Sequence, residues 1–193
     1  MIGSKLNSLT GFANLLLPRP GLQQSDAVPF QTARIQLEYP ENRKLIGFSS
    51  TERNGTDSDL YVMNPRDPAT KRRVAEVQGG GWAIVDFAPG NGRALVIQYI
   101  SVTKSNLFMI DLATNKLTPL GDHAKDVSYG GAEFAPDGTL WVTSDEGSDF
   151  QRLGTVDLTT GKFTPRGPAT KWDVDSFTIS DDGRTIAMIT NEA

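Results

Sequence analysis

An acidic loop at residues 145–149 carries the residue types best suited to hold a ligand. It reads Asp-Glu-Gly-Ser-Asp, and Arg152 follows shortly after it. Paired carboxylates can bind a substrate ammonium group or a hard cation such as calcium, although the spacing departs from the EF-hand pattern. The alternative is a tight turn in which the carboxylates cap backbone amides and Arg152 pairs locally. Asp145, Glu146 and Arg152 are therefore the candidate binding residues.

The residue types that hydrolytic catalysis requires do not occur together in this sequence. It contains one histidine, His123, and no cysteine. A serine peptidase triad needs the histidine as a general base beside a serine, and no Gly-x-Ser-x-Gly motif presents such a serine. His123 falls in a polar connection, where we expect an exposed loop residue. We therefore predict no catalytic residue, no metal site and no cofactor in this chain.

Two segments of the chain repeat each other at a spacing of 46 residues. Residues 153–165 match residues 107–119 at the same Leu, Asp, Leu, Thr, Lys, Thr and Pro positions. A second motif, an apolar residue followed by a turn, recurs in phase with the first. Its apolar residues are 48, 47 and 45 residues apart, at Tyr39, Phe87, Phe134 and Ile179. A repeat of this length indicates an array of one supersecondary unit.

Each repeated unit has the composition of four antiparallel strands. Runs of β-branched and aromatic residues flank the tight turns, and a polar turn precedes a short fourth strand. Four strands in about 45 residues make one β-propeller blade. We predict an all-β fold, a β-propeller of four-stranded antiparallel blades, with about three and a half blades present. The blades are expected at residues 33–77, 82–120, 129–166 and, incompletely, 173–193.

A second acidic stretch occupies the equivalent position in another copy of the repeat. Residues 54–59 occupy in the first unit the position that residues 145–149 occupy in the third. Since each copy of a repeat solves the same packing problem, this equivalence favours a structural role for both.

The incomplete last blade bears on how the propeller is closed. A propeller closes with four to eight whole blades, and closure hides the edges of its strands. We therefore expect residues 30–193 to be a partial propeller in the N-terminal part of a longer protein. The alternative is an open array whose edges are covered in a homo-oligomer.

Residues 1–29 stand apart from the repeat. Apolar side chains recur there at roughly helical spacing until Pro18 interrupts them. They are Leu6, Leu9, Phe12, Leu15 and Leu16. This spacing predicts a short amphipathic helix that docks on the propeller, with a degenerate signal peptide as the alternative.

Charge and hydropathy exclude two classes of partner. The net charge of −4 provides no basic surface for nucleic acid or for an anionic membrane. No apolar stretch approaches the roughly 20 residues that span a bilayer. We therefore expect neither nucleic acid nor a membrane as a partner.

Residues 143–153 and 156–162 resemble the propeller of the prolyl oligopeptidase (S9) family of serine peptidases, as do residues 177–187. Acylaminoacyl- and dipeptidyl-peptidase-like members are the most similar. The resemblance covers about residues 35–193 and is most specific after residue 127. It implies a non-catalytic propeller that caps an active site and selects peptide substrates. It further implies an α/β-hydrolase domain C-terminal to this chain, and we expect such a protein to be cytoplasmic.

A second family shares the weaker motifs. The turn at residues 134–138 and the run at residues 60–63 are also similar to TolB-like propellers. The alternative function is therefore that of a TolB-like periplasmic propeller that binds protein partners.

Overall fold

Short strands joined by turns and loops make up the described structure. The computed structural model describes residues 45–192, and this range contains thirteen strands and no helix. The strands form four antiparallel sheets, each built from consecutive strands. The first sheet contains β1 (Ile46–Ser50), β2 (Asp59–Asn64) and β3 (Asp67–Ala75). The second contains β4 (Trp82–Phe87), β5 (Arg93–Ser101), β6 (Lys104–Asp111) and β7 (Lys116–Leu120). The third contains β8 (Tyr129–Phe134), β9 (Leu140–Ser144), β10 (Arg152–Val156) and β11 (Phe163–Pro165), and the fourth contains β12 (Val174–Ile179) and β13 (Ile186–Thr190).

The repeated sequence motifs form repeated turns. Asp111 Oδ1 accepts hydrogen bonds from the Thr114 amide and the Thr114 hydroxyl, both at 2.8 Å. Asp157 Oδ1 accepts the same two bonds from Thr160, at 2.7 and 2.9 Å. The 46-residue echo therefore reflects one turn, stabilised by one aspartate, that is built twice.

The central strands of the sheets are buried on both faces. Ala94 and Val96 of β5 pack in the core between the first and second sheets, whereas Leu95 packs in the core between the second and third. All three side chains are fully buried. Burial on both faces explains why these three successive residues are all apolar, instead of apolar and polar residues alternating along the strand.

The first strands of the second, third and fourth sheets lie next to one another. Strand β4 lies against β8, and β8 lies against β12. Asp86 Oδ2 of β4 accepts a hydrogen bond from the Phe134 amide of β8 at 2.6 Å. Successive sheets therefore stack through their first strands, as the blades of a propeller do.

The antiparallel order brings two kinds of connection to one edge of the sheets, which we call the loop edge. It consists of the loops 51–58, 102–103 and 145–151 within sheets and the connections 76–81, 121–128 and 166–173 between sheets. Hydrogen bonds join the two kinds. The Ser58 amide donates to the Gly79 carbonyl at 2.9 Å, and the Asp145 amide donates to the Ser128 carbonyl at 3.4 Å.

The described sheets form an open array, which confirms the predicted incomplete propeller. The inner strand predicted before β1, near Tyr39, and the helix predicted within residues 1–29 lie outside the described residues. Among residues 45–192 there is no helix of the length and hydropathy needed to cross a membrane.

Candidate functional site

The predicted acidic loop joins β9 to β10, and its first carboxylate binds an earlier connection. Asp145 Oδ1 accepts a hydrogen bond from the Ser128 amide at 2.8 Å, and Asp145 Oδ2 accepts one from the Ser128 hydroxyl at 2.9 Å. Both carboxylate oxygens thus hold the segment that leads into β8. This is the amide-capping arrangement of the structural alternative.

Glu146 and Arg152 lie in the same region with different partners. Glu146 forms an ion pair with Lys125 Nζ at 3.2 Å, and its side chain remains 29% exposed. Arg152 Nη2 donates to the Glu146 carbonyl at 3.0 Å, which closes the loop on the start of β10. The three predicted residues are therefore brought together, and Glu146 is the one whose carboxylate remains accessible to a ligand.

Gln151 connects this loop to the fourth sheet. Its amide donates to Asp173 Oδ1 at 2.7 Å, and its carbonyl accepts from the Val174 amide at 2.9 Å. Within the described structure, two buried side-chain atoms here have no hydrogen-bond partner, Gln151 Oε1 and Arg152 Nε. Such atoms ordinarily bind water or a polar ligand group, because an unpaired buried polar atom costs about 1–3 kcal/mol.

The equivalent loop of the first sheet is built around a buried carboxylate. Asp59 begins β2 and has no solvent exposure. It accepts hydrogen bonds from Arg53 Nε at 2.7 Å, from Arg73 Nη1 at 3.2 Å and from the Val77 amide at 3.1 Å. Its charge is therefore neutralised by two arginines from opposite sides of β2.

A second carboxylate extends the same network. Asp57 accepts from Arg53 Nη2 at 2.8 Å and from the Gly79 amide at 2.7 Å. Glu76 pairs with Arg73 at 2.9 Å. The network thereby fixes the first loop to the connection between the first and second sheets.

The network keeps its aspartates ionised. Burial alone would raise the pKa of Asp59, but the hydrogen bond from Arg53 and the one from the Val77 amide outweigh it, so this pKa lies below its ordinary value. The hydrogen bond from the Gly79 amide, followed by that from Asn54, lowers the pKa of Asp57. Both groups are charged at neutral pH.

The second sheet differs from the other two at the loop edge. Strands β5 and β6 continue to a two-residue turn, Val102 and Thr103, where the first and third sheets have the longer loops 51–58 and 145–151. Apolar side chains occupy its end, with Tyr99 55%, Ile100 49% and Val102 83% exposed. We call these three residues the hairpin tip.

His123 is not the exposed loop residue that the sequence predicts. It is half-buried, and its Nε2 lies 3.0 Å from the Leu107 carbonyl and 3.2 Å from the Leu120 carbonyl. Its ring packs edge-on against Phe108, with centroids 4.7 Å apart. The prediction failed because sequence did not reveal that the connection folds back over β6 and β7. These contacts give His123 a packing role.

Two cavities lie near the third sheet. One of about 190 Å³ is lined by Lys125, Tyr129, Glu146 and Lys162, among others. Burial, with Glu146 and Asp145 nearby, raises the pKa of Tyr129 to about 12, so its phenol stays neutral at physiological pH. The other, of about 400 Å³, lies over the ends of β10 and β11.

Sequence reasoning missed two features of the loop edge. Arg53 and Arg73 are not marked by the repeat, so their convergence on Asp59 could be found only from the register of β2 and β3. The hairpin tip did leave a signal, since Val102 is a β-branched apolar residue in a turn, where polar residues and glycine prevail.

Comparison with solved structures shows the fold. A prolyl endopeptidase matches with a TM-score of 0.63 and 13% identity, covering 82% of this chain and 24% of that chain. TolB from Acinetobacter baumannii matches with a TM-score of 0.60 and 20% identity, covering 79% and 36%. A TolB-type protein from Agrobacterium tumefaciens matches with a TM-score of 0.62 and 13% identity, covering 77% and 51%. The chain thus spans a quarter to a half of the length of these proteins.

Comparisons of the amino-acid sequence, unlike those of the structure, find no match. No protein-family model matches the chain, and no curated protein matches it. The solved structures nevertheless belong to both groups that the sequence motifs resemble, the S9 peptidase propellers and the TolB-like propellers.

Proposed function

We propose that this chain is the non-catalytic propeller portion of an S9-type serine peptidase or related hydrolase. In this role it caps an active site carried by an α/β-hydrolase domain C-terminal to it and selects peptide substrates by size. The observation that carries the proposal is the likeness to a prolyl endopeptidase over 82% of this chain. The resemblance of residues 143–153 to S9 propellers supports the same choice.

The loop edge is the proposed surface that faces the substrate. Every connection from one sheet to the next runs along this edge, so a domain joined to the end of an outer strand would start there. Glu146 is proposed to receive a peptide ammonium group, in exchange for its ion pair with Lys125. Asp145 and Arg152 would hold the loop in place, since their described bonds are to Ser128 and to the loop backbone.

Covalent labelling of the full gene product tests this proposal. A fluorophosphonate probe forms a bond with the activated serine of a serine hydrolase. The full gene product, captured with an antibody against residues 45–192, should be labelled, whereas the 193-residue chain alone should not. Absence of labelling in an otherwise folded full-length protein would refute the peptidase proposal.

The second candidate is a TolB-like propeller that binds protein partners in the periplasm. It is supported by the two TolB structures, whose TM-scores of 0.60 and 0.62 are close to that of the peptidase. Cell fractionation separates the two candidates, because the peptidase is proposed to be cytoplasmic. A periplasmic protein with a cleaved N-terminus and no fluorophosphonate labelling would favour the TolB-like function.

A further inference from the structure

The hairpin tip contradicts the usual chemistry of an exposed turn. Two-residue hairpin turns favour asparagine, aspartate and glycine. This turn instead contains Val102, which is 83% exposed, beside the exposed Tyr99 and Ile100. Ile100 is also the extra residue of a β-bulge, because Tyr99 pairs with Ser105 and Ser101 pairs with Lys104. Residues that break a local rule without a contact to explain it are expected at functional surfaces.

Contacts within the described sheets do not account for these side chains. Tyr99 is held through its backbone, whose amide donates to the Gly81 carbonyl at 2.8 Å. The buried clusters between the described sheets include none of the three tip residues. Aromatic and aliphatic residues of this kind are typical anchors of a docked segment.

The chain contains a segment of matching chemistry. Residues 1–29 carry five large apolar side chains at roughly helical spacing, which are Leu6, Leu9, Phe12, Leu15 and Leu16. We propose that this segment docks on the hairpin tip of the same chain and covers Tyr99, Ile100 and Val102. The proposal does not depend on the peptidase function.

The length of the connecting chain permits this docking. Leu45 leads into β1 at the edge opposite the loop edge, because Ile46 pairs with Met63 near the turn between β2 and β3. The nine residues of β5 span about 30 Å from one edge to the other. Residues 30–44 can extend to roughly 50 Å, at about 3.3 Å per residue. The inner strand predicted within them would cross the same distance, since the corresponding strands β4 and β8 start at the loop edge. Residues 1–29 can therefore reach the hairpin tip.

Charge is complementary as well. Residues 1–29 contain Lys5, Arg19 and Asp26, a net positive segment. The loop edge beside the tip has an excess of negative charge. Its five carboxylates, which are Asp122, Asp126, Asp145, Glu146 and Asp149, face only Lys125 and Lys104, and these pair with Glu146 and Asp126. Attraction between these groups would orient the segment along the edge.

Cysteine crosslinking tests the proposal cleanly, because the chain contains no cysteine of its own. Three variants of the full chain combine Val102→Cys with Leu6→Cys, Leu9→Cys or Phe12→Cys. Each has a matched control in which Ile189→Cys takes the place of Val102→Cys. Ile189 is an exposed apolar residue at the far end of the array. Under mild oxidation, at least one Val102 pair should form an intramolecular disulfide several-fold faster than its Ile189 control.

Hydrogen exchange provides the second measurement. Amides of residues 5–16 should be protected in the wild-type chain, and Val102→Asp should abolish this protection while exchange in β5 and β6 stays unchanged. Equal crosslinking of the Val102 and Ile189 pairs, or unaltered protection in Val102→Asp, would overturn the proposal. Crosslinks formed between two chains would also overturn it, since the segment would then cover a second copy.

Discussion

The first and second sheets meet solvent at the same edge in opposite ways. In the first sheet, loop 51–58 is bound down by Arg53 and by the carboxylates of Asp57 and Asp59. In the second, the hairpin tip projects with its apolar side chains exposed. Loop 51–58 and the hairpin tip therefore differ in structure although they occupy equivalent positions of the repeat. We infer a structural role for the polar side chains of loop 51–58, because they form hydrogen bonds within the fold. We infer a binding role for the apolar side chains of the hairpin tip, because the described sheets leave them exposed.

Replacement of the buried carboxylate should give the largest effect. Asp59→Asn removes the charge shared by Arg53 and Arg73, and breaking a buried ion pair costs about 3–5 kcal/mol. Because both arginines are partly exposed, we expect the free energy of unfolding to fall by about 3 kcal/mol. Urea denaturation measures this loss. The exposed Asp149→Asn is the matched control, and a loss as small as in the control would show that the loop is not anchored.

The loop of the third sheet should be less sensitive. Asp145→Ala removes two hydrogen bonds to Ser128, which contribute about 1–2 kcal/mol together. The same denaturation experiment should rank this variant between Asp59→Asn and Asp149→Ala. If Asp145→Ala matched Asp149→Ala, the structural role of Asp145 would be lost, and its carboxylate would again be a candidate for direct ligand binding.

Acid should weaken the first sheet through its aspartates. The pKa values of Asp57 and Asp59 lie below their ordinary values in the folded chain. Their contribution to stability is thus fully present above the unfolded pKa, about 3.9, and is lost as the pH falls through the lower folded values. Unfolding monitored from pH 6 to pH 2 should show a smaller loss in Asp59→Asn than in the wild type. Identical pH profiles would contradict the network.

Substitution at the hairpin tip should have the smallest effect on stability. Val102→Asn exchanges a side chain outside the buried clusters for one that turns prefer, and it removes at most one apolar contact with the docked segment, so the free energy of unfolding should fall by less than about 1 kcal/mol. A loss above about 1 kcal/mol would place the tip among the packing residues and remove the contrast between the two sheets.

Much of the fold could be predicted because local chemistry repeats. The 46-residue echo predicts that residues 107–119 and 153–165 share one local structure, and both contain the same aspartate turn, at residues 111–114 and 157–160. The contacts of His123 could not be predicted, because they depend on how a connection folds back over Leu107 and Phe108, which lie 16 and 15 residues earlier.

The candidate site shows the same limit. The sequence predicted Asp145, Glu146 and Arg152 as a group of binding residues, and the structure places two of them in one loop and Arg152 at the start of the strand that follows it. Capping of Ser128 by Asp145 joins residues that lie 17 positions apart. This pairing depends on the register of β8 and β9, in which Tyr129 lies opposite Ser144 beside a β-bulge, and composition and spacing do not encode that register.

We propose that the described sheets select peptide substrates for chemistry performed elsewhere in the protein. The most direct test measures hydrolysis by the full gene product of one scissile sequence embedded in peptides of increasing length and in an unfolded protein. We expect kcat/KM to fall steeply as the peptide becomes longer, and we expect the unfolded protein not to be cleaved. Equal cleavage of short peptides and the unfolded protein would contradict it.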